Sequence, residues 1–156
     1  MHAPEAADEV WMRLALSQAE VAAEQGEVPV GCVVARRGEL LAAAANARQT
    51  SGDPTAHAEV LALREAALRI GDWRLEGCRL YVTLEPCTMC AGALILARIE
   101  RLIYGAPDPK AGACGSVLDV LSHPGLNHRV VVTTGVLAAE SGELLTRFFR
   151  SLRAEA

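Results

Sequence analysis

The stretch T-L-E-P-C-T-M-C-A-G, residues 83–92, decides how this chain is read. It joins two kinds of local structure. R-L-Y-V-T-L, which leads into it, is rich in the residue types a pleated surface favours and reads as a strand. Pro86 then opens a helix that runs through A-G-A-L-I-L-A-R. Cys87 and Cys90 therefore sit at a helix start, where unpaired N–H groups and the positive end of the helix dipole stabilise thiolates. A C-x-x-C so placed is a redox dithiol, half of a structural zinc site, or part of a catalytic one. Position alone does not choose.

Working outward, residues 8–25 place Trp11, Leu14, Ala15, Gln18 and Ala22 at helical spacing, and Gly26 closes the run. V-P-V-G-C-V-V-A and L-L-A-A-A flank R-R-G-E, a hairpin pattern with Gly38 free to take positive φ. In S-G-D-P-T-A-H-A-E-V-L-A-L-R-E-A-A-L-R-I-G, Asp53 suits a helix N-cap, Pro54 the first helical position and Gly71 the stop. Beyond the cysteines, R-L-I-Y-G reads as a strand, A-P-D-P-K-A-G-A-C-G-S as a loop and S-V-L-D-V-L as one or two helical turns. H-P-G-L-N-H is a second turn region, R-V-V-V-T-T a last strand and residues 137–153 a last helix. Strands alternating with helices predict an α/β fold, a mixed sheet with helices on both faces, in one domain spanning 1–156.

The composition, 51% hydrophobic and 22% charged over 156 residues, is that of a globular chain with a proper core. No apolar run reaches the about 20 residues of a spanning helix, and the acidic N-terminus lacks the apolar core of a signal peptide. The expected location is therefore cytoplasmic, with no membrane partner. Five cysteines, an odd number, argue against a disulfide framework and towards metal or catalytic use. The net charge of −4 weighs against a nucleic-acid partner, but it is unevenly spread. Residues 1–97 carry 8 basic against 13 acidic side chains, and residues 98–156 carry 7 against 6. Arg147, Arg150 and Arg153 recur every third residue and share a broad face of the last helix.

A third ligand would choose among the readings of Cys87 and Cys90. The candidates are His2, His57, His123 and His128, with Cys32, Cys78 and Cys114 as further thiols. His57 stands out because Glu59 follows it by two residues in the first turn of a capped helix. Residues i and i+2 lie about 200° apart around a helix axis, so they converge only on something off its end. A metal between two helix N-termini meets that condition, with His57 from one helix and Cys87 and Cys90 from the other. Three protein ligands leave a fourth position for water, as a hydrolytic zinc needs and a structural zinc lacks. Glu59 is then free to move protons. A thioredoxin-like dithiol would follow the first strand, not the third, and would leave His-x-Glu unexplained. Cys32, Cys78 and Cys114 read as small core or loop residues.

H-x-E followed by P-C-x-x-C is an established signature of zinc-dependent base deaminases. The likeness extends further. V-P-V-G-C-V, the Asn46 loop, D-P-T-A-H-A-E, Y-V-T-L-E-P-C-T-M-C-A-G-A, Y-G-A-P-D-P-K-A-G-A-C-G-S, H-P-G-L-N-H-R-V and F-F-R follow one another as in bacterial tRNA-specific adenosine deaminases. From about residue 8 to 153 the chain resembles that family. The resemblance implies a three-layer α/β/α, cytidine-deaminase-like fold around a five-stranded mixed sheet. It implies a homodimer that binds a tRNA anticodon stem-loop and hydrolytically converts the wobble adenosine of an arginine tRNA to inosine. It also implies one Zn2+ per subunit on His57, Cys87 and Cys90, with Glu59 as the proton carrier. By the same likeness Asn46 would hydrogen-bond the flipped base, with Pro29 and Val30 in the pocket wall. Asp108 and Lys110 would contact the anticodon loop, as would Asn127, Phe149 and Arg153, with Arg48 beside Asn46. The alternative is a deaminase of a free base or nucleoside, of guanine or cytosine type, which shares the zinc core and differs in its loops. A structural zinc protein that binds RNA or a partner would have no need of Glu59.

Overall fold

The hairpin forms as its pattern predicts: β1 (Gly31–Arg36) and β2 (Glu39–Ala45) are joined by Arg37 and Gly38, both at positive φ, 52° and 77°. Two such residues give the turn whose twist matches that of paired strands. This is a computed structural model, and it describes residues 2–155. β3 (Arg79–Leu84), β4 (Arg101–Ala106) and β5 (Val131–Thr133) complete a five-stranded sheet in the order β2-β1-β3-β4-β5. β1 runs antiparallel to β2 and β3, while β3, β4 and β5 are parallel, so the sheet is mixed.

Alternation along the strands divides the core into two layers. Cys32, Val34, Leu80, Val82, Leu102 and Tyr104 pack with α3 (Ala58–Ile70) and α4 (Thr88–Leu96). Val33, Ala35, Tyr81 and Ile103 pack on the opposite side with Met12 and Ala15 of α1 (Asp8–Glu24), where α5 (Ala138–Glu155) also lies against β4. Helix α1 sits unusually close to the sheet. A Cβ on Gly31 would fall 1.9 Å from the Ala15 carbonyl oxygen and 2.4 Å from the Ala19 nitrogen. Ala15, Ala19 and Ala22 are fully buried, so small side chains and a glycine let the two backbones meet.

Three local expectations are corrected, and one short helix is not foreseen. Helix α3 begins at Ala58, not at Pro54, because the Asp53 carboxylate is used locally. It accepts hydrogen bonds from the Thr55 N–H and hydroxyl at 2.8 and 2.7 Å. A turn closed by the Ala56 N–H on the Asp53 carbonyl (3.1 Å) carries the chain to His57, which becomes the extended N-cap, and Gly71 ends the helix at φ 82° as expected. Helix α4 likewise starts one residue after Cys87, its N-cap. The stretch S-V-L-D-V-L yields only a 3-10 turn at Val120–Ser122, after a bridge between Cys114 and Asp119. A short helix, α2 (Arg48–Ser51), follows β2 where no pattern announces it. Its start is held by buried Glu27, which accepts from the N–H groups of Gln49 and Thr50 at 3.1 and 2.6 Å.

A buried ion pair ties the N-terminal segment to the sheet. Asp8 is 0% and Arg101 3% exposed, and they meet bidentately at 2.7 and 3.0 Å. Arg101 also donates twice to the Thr133 hydroxyl, at 3.2 and 2.7 Å, while Asp8 accepts from the Glu5 N–H at 2.7 Å. Burial pushes the Asp8 carboxyl up, but Arg101 and the Glu5 N–H outweigh it and hold it below its ordinary 3.8. The stability Asp8 contributes is therefore present at neutral pH and lost as pH falls through that lowered value. Arg101→Met should cost about 3–5 kcal/mol at pH 7, because it leaves a buried carboxylate without its cation. The orphaned carboxyl then titrates upward, so the deficit against the wild type should shrink as pH is lowered from 7 to 5. Denaturant melts of both proteins at the two pH values check the magnitude and the sign.

Candidate active site

The ends of α3 and α4 nearest the sheet bring three ligand atoms together. His57 and Cys87 are the N-cap residues of the two helices, both extended, and Cys90 lies in the first turn of α4. His57 Nδ1 is 3.6 Å from Cys87 Sγ and 3.5 Å from Cys90 Sγ, and all three atoms lie within 4.8 Å of one another. Bond lengths of about 2.3 Å to sulfur and about 2.0–2.1 Å to nitrogen give a tetrahedral zinc N···S edges of about 3.6 Å. The donor set and its spacing fit that ion. Of the two thiols beside the imidazole, Cys87, at the helix N-terminus, is the one ready to lose its proton. The Cys90 thiol hydrogen-bonds to Cys87, which together with His57 lowers Cys87 to about 3, and Cys90 is correspondingly raised. His57 is raised, chiefly by its hydrogen bond with Cys87.

Glu59 reaches the same place from inside α3. It is 4% exposed, and burial pushes its carboxyl up to about 7, although His57 and its own N–H pull the other way. A carboxyl poised there both takes and gives a proton near neutrality. The remaining histidines are elsewhere. His128 Nε2 lies 2.7 Å from the Ile99 carbonyl, His123 Nδ1 accepts from the Gly125 N–H, and exposed His2 pairs with Glu5. Cys32, Cys78 and Cys114 are all buried in the α3–α4 core layer.

A pocket of about 170 Å³ opens onto His57, Glu59 and Cys87, walled by Val28, Val30, Asn46, Arg48, Leu84, Glu85, Asp108 and Ala111. Asn46 is buried and placed by hydrogen bonds from its backbone N–H to the Val30 carbonyl (3.0 Å) and from its amide to the Val28 carbonyl (3.4 Å). Pro29 is buried but does not line the pocket; Val28 does. A broader groove of about 650 Å³ shares Val28, Leu84 and Asp108 with the pocket and runs out past Pro107, Pro109, Lys110, Leu145, Thr146, Phe149 and Arg153. Asp108, Lys110, Phe149 and Arg153 therefore lie along one depression that starts at the ligand cluster. Asn127 lines neither cavity and sits exposed in the 123–128 loop.

The arginine stripe of the last helix is divided. Arg153 faces the groove, whereas Arg147 lies in a separate cleft between α1 and α5 with Arg13, Glu20, Glu140 and Glu143. A drift of about 60° per three residues puts Arg147 and Arg153 about 120° apart, enough to send them to different sides. Sequence reasoning also missed Val28, Leu84, Ala111 and Glu85 in the pocket wall. Glu85 alone left a trace, as a carboxylate at a strand end directly before the Pro-Cys pair.

The MafB19-like deaminase family model matches residues 6–153. A tRNA-specific adenosine deaminase of Bacillus subtilis (strain 168) is 49% identical over 94% of this chain and 91% of its own length. Another, from Aquifex aeolicus, is 49% identical over 93% of this chain and 95% of its own. The chain belongs to the tRNA-specific adenosine deaminase family. Among solved structures, a tRNA:A34 deaminase from work on A-to-I editing at the wobble position superposes with a TM-score of 0.84 and 46% identity. That match covers 86% of this chain and 98% of the other. A guanine deaminase from Bacillus subtilis, 30% identical over 95% of this chain and 94% of its own, superposes with a TM-score of 0.63. The family thus shares its cytidine-deaminase-like fold with free-base enzymes.

The cluster gives a direct test of metal binding. Cys87→Ser should lose the metal, since a neutral hydroxyl is a far weaker ligand than a thiolate. In the wild type, thiol reagents should modify Cys87 and Cys90 slowly until a chelator is added. Metal analysis and timed labelling check both; rapid labelling of metal-loaded protein would favour a free dithiol.

Proposed function

We propose that this chain is a zinc-dependent hydrolase that converts the wobble adenosine of a tRNA anticodon, an arginine tRNA by the family likeness, to inosine. The observation that carries the reading is the buried Glu59 beside a His-Cys-Cys cluster, in a pocket that runs on into a groove of about 650 Å³ lined by Lys110, Phe149 and Arg153. His57, Cys87 and Cys90 would hold one Zn2+ per subunit, and the ion supplies a Lewis acid that makes water nucleophilic at neutral pH. Glu59 takes a proton from the attacking water and delivers one to N1 of adenine, which relieves the ring of the electrons displaced from C6. It then takes the proton of the new C6 hydroxyl and passes it to the amine, so that the C6–N bond breaks, ammonia leaves and the C6 carbonyl of inosine remains. Asn46 hydrogen-bonds the extruded base, and Val28, Val30 and Leu84 exclude water around it.

Lys110, Arg153, Phe149 and Asp108 would meet the flanking nucleotides, the cations on phosphates and the phenyl ring under a base. Arg48 would sit over the pocket mouth. Asn127 would act outside both cavities, at the rim of the loop, and Pro29 by holding Val28 and Val30 in place. The reading includes a single domain over residues 1–156 acting as a homodimer in the cytoplasm. Exposed Leu68 and Leu96, 85% and 71% accessible, supply apolar surface for such a contact. No described helix is long and apolar enough to cross a membrane. The free-base alternative is kept alive by the guanine deaminase fold match and is settled by assay.

Purified protein should form inosine in an anticodon stem-loop with a wobble adenosine and leave free guanine untouched; guanine turnover with an inert stem-loop would reverse the assignment. Glu59→Ala should keep its zinc and lose about 10²–10⁴-fold in kcat. A zinc-free or fully active variant would remove Glu59 from the proton path. Changing Lys110 and Arg153 to Gln should flatten the dependence of log affinity on log salt by about 0.7 for each phosphate no longer neutralised. Stem-loop binding at two salt concentrations reads the slope.

A further inference from the structure

The loop between β4 and the 3-10 turn, residues 107–116, makes one wall of the pocket and one wall of the groove: Asp108 and Ala111 face the first, and Pro107, Pro109 and Lys110 the second. It contains no helix or strand that would hold it there. Four of the hydrogen bonds that fix it converge on one side chain. Glu85 is 2% exposed, and its Oε1 accepts from the Asp108 N–H at 3.0 Å and from the Ser116 hydroxyl. Its Oε2 accepts from the Cys114 N–H at 3.0 Å and the Ser116 N–H at 3.1 Å. The loop closes around that carboxylate so tightly that a Cβ on Gly112 would fall 2.4 Å from the Glu85 carboxyl carbon. The strand end carrying Glu85 is itself tied in, through Glu85 N–H to the Ala106 carbonyl (2.9 Å) and Ala113 N–H to the Pro86 carbonyl (2.8 Å).

We infer that Glu85 is a positioning residue for substrate binding: a buried carboxylate, two residues ahead of Cys87, that sets the distance between the ligand cluster and the loop that grips the RNA. The inference rests on the proposed function only in naming RNA as what the loop grips. The chemistry of the contact explains why a carboxylate is needed. Three backbone N–H groups and a hydroxyl all point inward, and only a side chain with two acceptor oxygens and no donor satisfies all of them. Glutamine has the same shape but turns two N–H bonds towards groups that are donors themselves. It must leave at least one loop N–H, at Asp108 or at Cys114 and Ser116, buried without an acceptor. The loop would then leave its place while the sheet and the cluster remain. Asp108 also turns the loop tip by accepting from the N–H groups of Lys110 and Ala111, at 3.0 and 3.2 Å. Losing the anchor at the Asp108 N–H therefore shifts pocket wall and groove wall together.

The test is Glu85→Gln in the metal-loaded full chain, with Ser116→Ala as a second variant that removes one bond to the same carboxylate and leaves the strand–helix junction intact. Two readouts are taken. Hydrogen exchange followed by mass spectrometry, without substrate, should show the 108–116 amides exchanging about tenfold faster or more in Glu85→Gln. Those of α3 and α4 should be unchanged and the metal content equal to wild type. Kinetics on the anticodon stem-loop should show KM raised about tenfold with kcat within about threefold, since the loop binds and does not react. Ser116→Ala should move both in the same direction by less, and it alone carries the test if Glu85→Gln does not fold. Unchanged loop exchange in the variants overturns the anchor. Faster exchange with unchanged KM overturns its role in binding, as does activity lost in proportion to metal. A wild type inert on the stem-loop would sink the functional reading instead, and the exchange result would still stand or fall separately.

Discussion

Two helix N-termini are aimed at one point, and that constraint organises everything around it. Each helix start presents unpaired N–H groups and partial positive charge, so bringing two together is unfavourable unless something electron-rich sits between them. Here the N-cap residues themselves supply it. His57 caps α3 and Cys87 caps α4, with Cys90 one turn further in. The antiparallel pairing of β1 with β3 makes this meeting possible, because the start of one strand lies beside the end of the other. Val30 and Leu84, at those two strand ends, then face the same small pocket.

The same arrangement accounts for the position of Glu59. An N-cap residue lies outside the helical spiral, so His57 turns away from the axis while Glu59, two residues on, points back beneath the helix end. One short segment thereby offers an imidazole and a buried carboxyl to the same space. The loop over the pocket has the opposite character. It has no repeating hydrogen-bond pattern of its own and takes its shape from a neighbouring carboxylate.

Much of this was legible in the residues because it rests on local chemistry. The hairpin turn at Arg37–Gly38, the stop at Gly71, the alternation of strands and helices, and the approach of His57 to Cys87 and Cys90 follow from spacing and turn chemistry. The start of α3 did not, because Asp53 had two partners within reach: a helix end or the Thr55 side chain. It took the latter. The N-terminal ion pair was invisible for another reason. Asp8 reads as an ordinary first-turn acid, and nothing local says that Arg101, far along the chain, will be buried against it. Pro29 and the arginines of α5 show the limit of periodicity alone. Spacing places residues around an axis but not what faces each side, and Arg147 and Arg153 ended in different clefts.

The N-terminal segment is consequently a poor place for an experimenter to cut or graft. Residues that look like a dispensable leader to α1 supply the Glu5 N–H and carboxylate, the Ala3 carbonyl and the His2 N–H, which bond Asp8, Arg79 and Arg101, and Val132. Trimming the chain to the start of the first helix would strip the cover from a buried guanidinium and loosen β5 at the sheet's edge. A fusion joined directly at Asp8 would do the same damage. A tag placed ahead of residue 2 leaves the clasp whole.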